Sequence, residues 1–355
     1  MLVYIINKGL ICMASENNIN NSVWDYDSLK KVYKTLKNKE RTDIEEKEFL
    51  LLERILNGAS IDGISFVDNI SFKDAYTHET YTVLIDYYKY LDVIFKFYDI
   101  NGEDRELIPY EKLNTNPDIL KQTAGDFFKS LNEEWYKLFL NISKPENSSV
   151  SYSSLRSFST YFPSSNYWLA NIYKHDTIQD YVDTIHEYAH GIADQLSSET
   201  KTYTSNNIFI ELFPITCQMI WLYECDESGL QHELTKYISN YFKIMTDYAE
   251  EIRFKYNICS TFYSVKSSKV LAKLIKKEWN IIITPKELEG YYEYPVQELF
   301  SYVYPFLVSL ELLEIYKKDK NEFINIMNDL IVSKKDPLEI LSAYNIEPAK
   351  SLNKK

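Results

Sequence analysis

Apolar residues recur at three- and four-residue intervals along most of this chain, which is the period of an α-helix with one buried face. Leu29, Val32, Tyr33 and Leu36, then Phe49, Leu52 and Ile55, predict a helical region over 22–57 that Asn57-Gly58 ends. A run rich in Tyr, Phe and Leu predicts helix over 70–99, stopped by Asn101-Gly102, and a third helical region, in one or two pieces, covers 116–142. Pro145, Ser148 and Ser149 make 144–149 a loop. The pattern then changes. Residues 149–162 and 167–173 mix β-branched and aromatic residues with serines on either side of Pro163-Ser164-Ser165-Asn166, which predicts a small hairpin or edge ribbon. From 177 onward the helical period returns, over 177–197, 205–225, 229–256, 264–279, 285–290 and 296–332, with a short last helix from Pro337. The fold class expected is mainly α with a small β ribbon. The loop at 144–149 divides a helical N-terminal lobe, 15–148, from a second unit, 149–355, and residues 1–14 read as an extension outside the fold.

With 355 residues the chain can bury a large core, and its 8 glycines and 10 prolines leave few tight turns, so composition agrees with long helices. A net charge of −13 gives no basic patch for nucleic acid or an anionic membrane. No run of 18 apolar residues occurs, so no membrane span is expected. The start is mildly apolar, but no Lys or Arg precedes its apolar run and Asn7-Lys8-Gly9 interrupts it, unlike a secretory signal; Met13 is an alternative first residue. Cys12, Cys217, Cys225 and Cys259 form no C-x-x-C pair. Cys217 and Cys225 lie in an apolar helical segment and are expected to be buried thiols, which points to a reducing, cytoplasmic compartment.

One motif carries chemistry: His186-Glu187-Tyr188-Ala189-His190. Five histidines and 52 acidic residues make H-[DE]-x-x-H a chance event about 0.01 times per chain of this length. On a helix, positions 186 and 190 share a face, so two imidazoles can grip one zinc ion, while Glu187 points about 100° away. Val182, Ile185, Ala189 and Ile192 supply the apolar stripe such a helix needs, and Thr177 with Asp180 forms a T-x-x-D start signal. A catalytic zinc takes three protein ligands and leaves a position open. His78, His175 and His232 read as surface or loop residues, and Ala193 and Ser197 rule out the extended three-histidine pattern. A carboxylate is then required. Glu211, alone in the apolar run Ile208 to Pro214, is the first choice, because an acid there is costly to bury without a partner; Glu224 is the second. Such a site performs metal-assisted hydrolysis with Glu187 as general base. A tyrosine hydroxyl could donate to the developing oxyanion, and Tyr291, Tyr292, Tyr294, Tyr302 and Tyr304 are candidates.

Several segments together resemble the oligoendopeptidase F and thimet oligopeptidase family of zinc peptidases. They are Tyr167 to Tyr173 (YWLANIY), Ile178 to Gly191 around the histidines, Ile210-Glu211, Ser301-Tyr302-Val303-Tyr304, and Ser333 to Leu341 (SKKDPLEIL). The last is similar to that family's S-K-x-P-L-x-L-L signature, and the resemblance runs from about Tyr161 to the C-terminus. It implies a zincin-like helical metallopeptidase of the gluzincin type, with a channel that admits short peptides and excludes folded proteins. It implies one zinc on His186, His190 and Glu211, Glu187 as base, Tyr302 or Tyr304 at the oxyanion, and 167–173 as an edge strand beside the active-site helix. Tyr167, Leu169 and Asn171 on that strand would bind the peptide backbone. The chain also departs from the family. Pro214 stands where the family carries Ser, the substrate-binding His falls on Val296, one tyrosine falls on Glu298 or Leu299, and the N-terminal part is short and shows no match. The leading expectation is a cytoplasmic zinc endo-oligopeptidase acting on short peptides, with no nucleic-acid or membrane partner. The alternatives are a zinc- or peptide-binding relative with weak or no catalysis, and a helical interaction protein with no metal. The oligomeric state stays open.

Overall fold

The computed structural model describes residues 26–38, 40–41, 46, 49–50, 52–53, 56, 72–102, 105–153, 157–162, 165–197, 208–226, 229–265, 267–293, 295–333 and 335–348. The expected extension 1–14, Cys12, the helix start at 22–25, the Asn57-Gly58 stop, Pro163-Ser164, helix positions 205–207, Tyr294 and Lys334 lie outside the described residues. Helices dominate. In chain order they are α1 (Tyr26–Lys37), α2 (Phe72–Tyr81), α3 (Tyr88–Asn101), α4 (Pro117–Leu131) and α5 (Glu133–Ile142), followed by strands β1 (Ser148–Ser153), β2 (Phe158–Phe162) and β3 (Tyr167–Tyr173). Then come α6 (Ile178–Ser197), α7 (Leu212–Glu224), α8 (Gln231–Phe262), α9 (Ser268–Trp279), α10 (Pro285–Glu293), α11 (Val296–Lys318), α12 (Lys320–Val332) and α13 (Pro337–Ala343).

Three of the long periodic runs are broken where a side chain or a wide turn takes over the backbone. Asn132 divides 116–142: its backbone is extended and its side chain accepts from Glu134 N and Trp135 N at 2.8 and 3.0 Å. Asp319 splits 296–332 in the same way, accepting from Asn321 N and Glu322 N. A π turn over Thr82–Asp86 separates α2 from α3 inside 70–99. The apolar period runs across all three breaks, so periodicity alone joins what capping divides.

The β segment is a three-stranded sheet of order β1-β3-β2, with β1 parallel and β2 antiparallel to β3. β3 is therefore the central strand and not the expected edge. Its register sets Leu169 between Ser149 and Thr160, and Asn171 between Ser151 and Phe158. Alternation along β3 sends its residues to two faces. Trp168 and Ala170 join the main core with α6, while Tyr167 and Leu169 pack with Phe162 against Leu29, Val32 and Leu36 of α1. The sheet is thus covered on both faces, which explains why β3 is apolar but for Asn171 and buried at six of its seven positions.

α6 lies on the inner face of this sheet. Its approach is close because residue 191 is glycine: a Cβ there would meet the Trp168 indole at 2.9 Å and Ile142 Cδ1 at 2.8 Å. The start of α6 is held by Thr177 and Asp180, in a modified form of the expected box. Thr177 Oγ1 accepts from Gln179 N at 3.3 Å. Asp180 reaches past Thr177 to accept from His175 N at 2.7 Å and Asp176 N at 3.1 Å, and it also accepts from the Thr115 hydroxyl. Asp176 takes a left-handed φ of 54°, which curls these N–H groups inward.

One buried cluster draws side chains from Val83 to Ile142 and from Trp168 to Ile346, and the loop at 144–149 leads into the sheet. α11 is long and apolar enough to cross a membrane by length and composition, but most of it is buried in this core between α7, α8 and α12. Cys217 is buried as expected of an apolar helix, whereas Cys225 caps the C-terminus of α7 and is only half-buried. The N-terminus of α11 rests on a buried ion pair. Lys255 Nζ, fully buried, donates to Glu79 Oε1 at 2.8 Å, and Val296 N donates to the same carboxylate at 3.0 and 3.1 Å.

Replacing Lys255 by Met leaves the Glu79 carboxylate buried without its cation; a loss of about 3–5 kcal/mol in urea unfolding is expected, largely recovered in the Lys255→Met/Glu79→Gln double variant. Gly191→Val forces the Trp168 indole away from α6 and is expected to cost about 1–3 kcal/mol by the same measurement.

Candidate metal centre

α6 and the turn before α7 bring together three donor atoms. His186 Nε2 and His190 Nε2 are 3.2 Å apart, and Glu211 Oε2 lies 3.0 Å from the first and 3.2 Å from the second. The rings project from successive turns of one helix face, with centroids 4.9 Å apart. Glu211 occupies the N-cap position of α7 but caps nothing with its side chain, which is turned to the imidazoles. Its Oε2 is buried, with both ring nitrogens at contact distance. For zinc, bonds of 2.0–2.1 Å in a tetrahedron give ligand–ligand edges of about 3.3–3.4 Å, so the observed triangle fits one face of that polyhedron with slight expansion. Two imidazoles and a carboxylate are also a donor set zinc accepts while keeping one position open.

Electrostatics within the triangle are strongly coupled. Burial alone would raise the Glu211 carboxyl, but the two imidazoles outweigh it and hold it well below the usual carboxylate range. Burial would lower His190, and the Glu211 charge and hydrogen bond reverse this, so its pKa is raised. Glu187 is different. Burial pushes its carboxyl up to about 8, against the pull of His186; Glu211 raises it further, and a hydrogen bond with Ser159 lowers it. Its Oε2 is buried with no hydrogen-bond partner among the described residues. An added divalent charge at the triangle would favour the ionised carboxylate there.

Residues around the triangle that motif reading passes over include Asp183 and Asp194. They bracket the histidines at helical spacing on the same face of α6. Burial raises both to about 6, and each feels the nearer imidazole, His186 for Asp183 and His190 for Asp194. Ser157 donates to Asp183 Oδ2 at 3.0 Å and its Oγ accepts from Tyr173 N at 2.9 Å, so the sheet is tied to the helix at this point. The i−3 and i+4 spacing of Asp183 and Asp194 about the histidines was legible; the contribution of Ser157 and Ser159 from the sheet was not.

The other histidines lie elsewhere. His78 and His232 are exposed, and His175 packs on the Tyr173 ring at 3.9 Å and lies 3.8 Å from Asp183. Glu111, His232 and Glu233 also gather, but Glu233 already accepts from Lys236 Nζ at 2.6 Å and Glu111 N at 2.8 Å. Glu224 sits at the far end of α7, about 20 Å from Glu211 along the helix axis, and takes a hydrogen bond from Tyr316. Tyr304 is a core residue, its ring 4.6 Å from Tyr90 and 5.8 Å from Phe209; burial, with the charge of Asp336, lifts it to about 12. Tyr302 is half-buried, 6.2 Å from the ring of Tyr248. Tyr291 and Tyr292 flank Lys255. Tyr167, Leu169 and Asn171, expected to bind a peptide, are buried. Their strand is paired on both sides; Tyr167 and Leu169 face α1, and Asn171 accepts from Ser151 and Ser153 at 2.7 Å each. The outer edge of the sheet beside α6 belongs to β2, whose Ser159 is the residue bonded to Glu187.

No protein-family model matches the chain, and no curated protein sequence does. Among solved structures, it is similar to a Bacillus anthracis str. Ames protein assigned as an oligoendopeptidase F, at 12% identity and a TM-score of 0.46. That alignment covers 92% of this chain and 60% of the other, so this chain spans less than two thirds of that protein.

The geometry separates the two candidate acids. Glu211→Gln is expected to weaken zinc binding, measured by competition with a chromophoric chelator, by more than the roughly 10–100-fold that loss of an outer-shell partner costs. Glu224→Gln is expected to leave zinc affinity unchanged.

Proposed function

We propose that this chain is a zinc-dependent peptidase that hydrolyses peptide bonds in short peptides. The observation that carries the reading is the convergence of His186, His190 and Glu211 beside a buried carboxyl, Glu187, with an unpartnered oxygen among the described residues. His186, His190 and Glu211 would hold the ion, with about one net positive charge left on it when both imidazoles are neutral. Zinc bound there supplies Lewis acidity toward the scissile carbonyl and lowers the pKa of water near it. Glu187 moves the proton. As the water oxygen bonds to the carbonyl carbon, Glu187 takes the proton released and passes it to the amide nitrogen, so that the C–N bond breaks with a neutral amine leaving. Burial keeps this carboxyl from being strongly solvated, which suits a group that must both take and give a proton near neutrality. Asp183 and Asp194 would orient the imidazoles, as outer carboxylates do at metal sites. The backbone of an extended peptide would add to the outer edge of β2, since β3 has no edge to offer.

A second reading has one observation in its favour. Val296, in the position where the resembling family carries its substrate-binding His, is fully buried and its N–H is bound to Glu79. A protein without that side chain could hold zinc or a peptide and cleave slowly or not at all.

Glu187→Gln distinguishes the two readings. A peptidase is expected to hold about one zinc per chain, to cleave quenched fluorescent peptides, and to lose roughly 10²–10⁴-fold in kcat in this variant with its zinc retained. Zinc without cleavage over a broad peptide library supports the binding protein, and a wild-type chain with no stoichiometric zinc after re-addition overturns both.

A further inference from the structure

The net charge of −13 hides one strongly basic surface. α9 carries Lys269, Lys273, Lys276 and Lys277 against a single acid, Glu278, and all four lysines are exposed. On a helix the four fall within an arc of about 100° and form a stripe roughly 12 Å long. The opposite side of α9 holds Leu271, Ala272 and Ile275, which pack with Ile258, Cys259 and Phe262 of α8 in a small core of their own. That packing fixes α9 with its lysines outward. Only Lys277 has an ion-pair partner among the described residues, Glu278 at 3.2 Å. Lys276 and Lys277 suit the C-terminus of α9, but Lys269 stands in its first turn, where a cation opposes the helix dipole. Helix stability therefore does not account for the whole stripe.

A cleft opens beside it. The rings of Phe254 and Trp279 meet edge to face, with centroids 6.2 Å apart and planes at 63°. With Asn257, Thr261 and Ile281 they line a space of about 380 Å³. Phe254, Asn257 and Thr261 recur at three- and four-residue intervals along one side of α8, so that wall is a single helix face. Asn280 ends α9 with a left-handed φ of 55°, its N–H bound to Lys276 O at 3.0 Å, and after this turn Ile281 completes the lining. Trp279 lies three residues beyond Lys276, so the cleft adjoins the stripe on the surface of one helix.

We propose that α9 and this cleft bind an acidic polypeptide segment, with one large apolar or aromatic residue between Phe254 and Trp279 and its carboxylates along Lys269, Lys273, Lys276 and Lys277. A buried anchor beside a charged rim is the arrangement that dominates recognition at protein interfaces. Asn257 and Thr261 supply an amide and a hydroxyl for the backbone of the segment. The charge of the rest of the chain favours a narrow partner over a broad one. An anionic bilayer presents an extended plane to a protein of charge −13, whereas a short segment meets the stripe within a screening length of about 8 Å. This surface is separate from the histidine–carboxylate triangle and needs no zinc.

The test is fluorescence anisotropy of the full chain with labelled peptides capped at both ends. The probe has a central Trp flanked by Glu on both sides, and its counterparts carry Gln for every Glu, or Ser for the Trp. A chelator prevents turnover. The acidic Trp peptide is expected to bind roughly tenfold more tightly than either counterpart, and to weaken steeply as salt rises to about 0.3 M. Lys269→Glu/Lys273→Glu is expected to weaken it roughly tenfold with no loss in thermal midpoint, because an acid suits the first turn of a helix. Trp279→Ala is expected to cost a similar factor. Trp279 also packs on Phe262 at 5.2 Å, so Asn257→Phe, which fills the cleft from an exposed position, serves as the second variant and is expected to exclude the peptide with the thermal midpoint kept. Equal binding of the acidic peptide and its Gln counterpart overturns the proposal, as does full affinity in Lys269→Glu/Lys273→Glu. Binding to mixed phosphatidylcholine–phosphatidylserine vesicles, lost in that double variant and without binding of the acidic peptide, also overturns it and assigns the stripe to a membrane. None of these readings depends on zinc or on cleavage, so failure here leaves the peptidase reading untouched.

Discussion

His186 Nε2, His190 Nε2 and Glu211 Oε2 stand 3.0–3.2 Å apart in a largely buried place, and everything else near them is arranged around that triangle. Three lone-pair atoms repel unless something positive lies among them. In the chain alone a proton shared between His190 and Glu211 can serve, since the Glu211 charge raises the one group and the imidazoles lower the other. A dication serves better, because it faces all three donors at once while a proton lies between two. These three residues are a group that could hold a metal ion.

Holding it costs order elsewhere. α6 must keep its face toward α7, so its start is fixed by Thr177 and Asp180 and its middle is pressed onto Trp168 across Gly191. The sheet does more than cover the helix. Through Ser157 on Asp183 and Ser159 on Glu187 it reaches the same side chains whose charge the site depends on.

The expected edge strand illustrates how the resemblance misled. The segment Tyr167 to Tyr173 has the composition of a strand near a zinc helix, and it is a strand beside the histidine-bearing helix. Whether a strand is central or at an edge depends on what pairs with its two sides, and β1 and β2 contribute those neighbours from separate stretches of chain. A continuous apolar run was the available clue, since strands covered on both faces lose the alternation that an exposed strand keeps. Tyr304 packs its ring on Tyr90 and Phe209, and many tyrosines in one chain look alike in sequence, so packing of this kind is not legible there.

The sequence by itself determined the helical class, the helix that bears the histidines and their common face, because all of these follow from spacing of a few residues along one chain segment. It also favoured Glu211 over Glu224, from the cost of burying a lone acid. Only the tertiary structure decided that Glu211 comes within 3.2 Å of both rings, that β3 is enclosed, and that Lys255 and Glu79 pin the start of α11. Each of these joins segments far apart in the chain. Local periodicity reports which way a side chain leaves its own helix or strand, and it carries no information about what arrives from the other side.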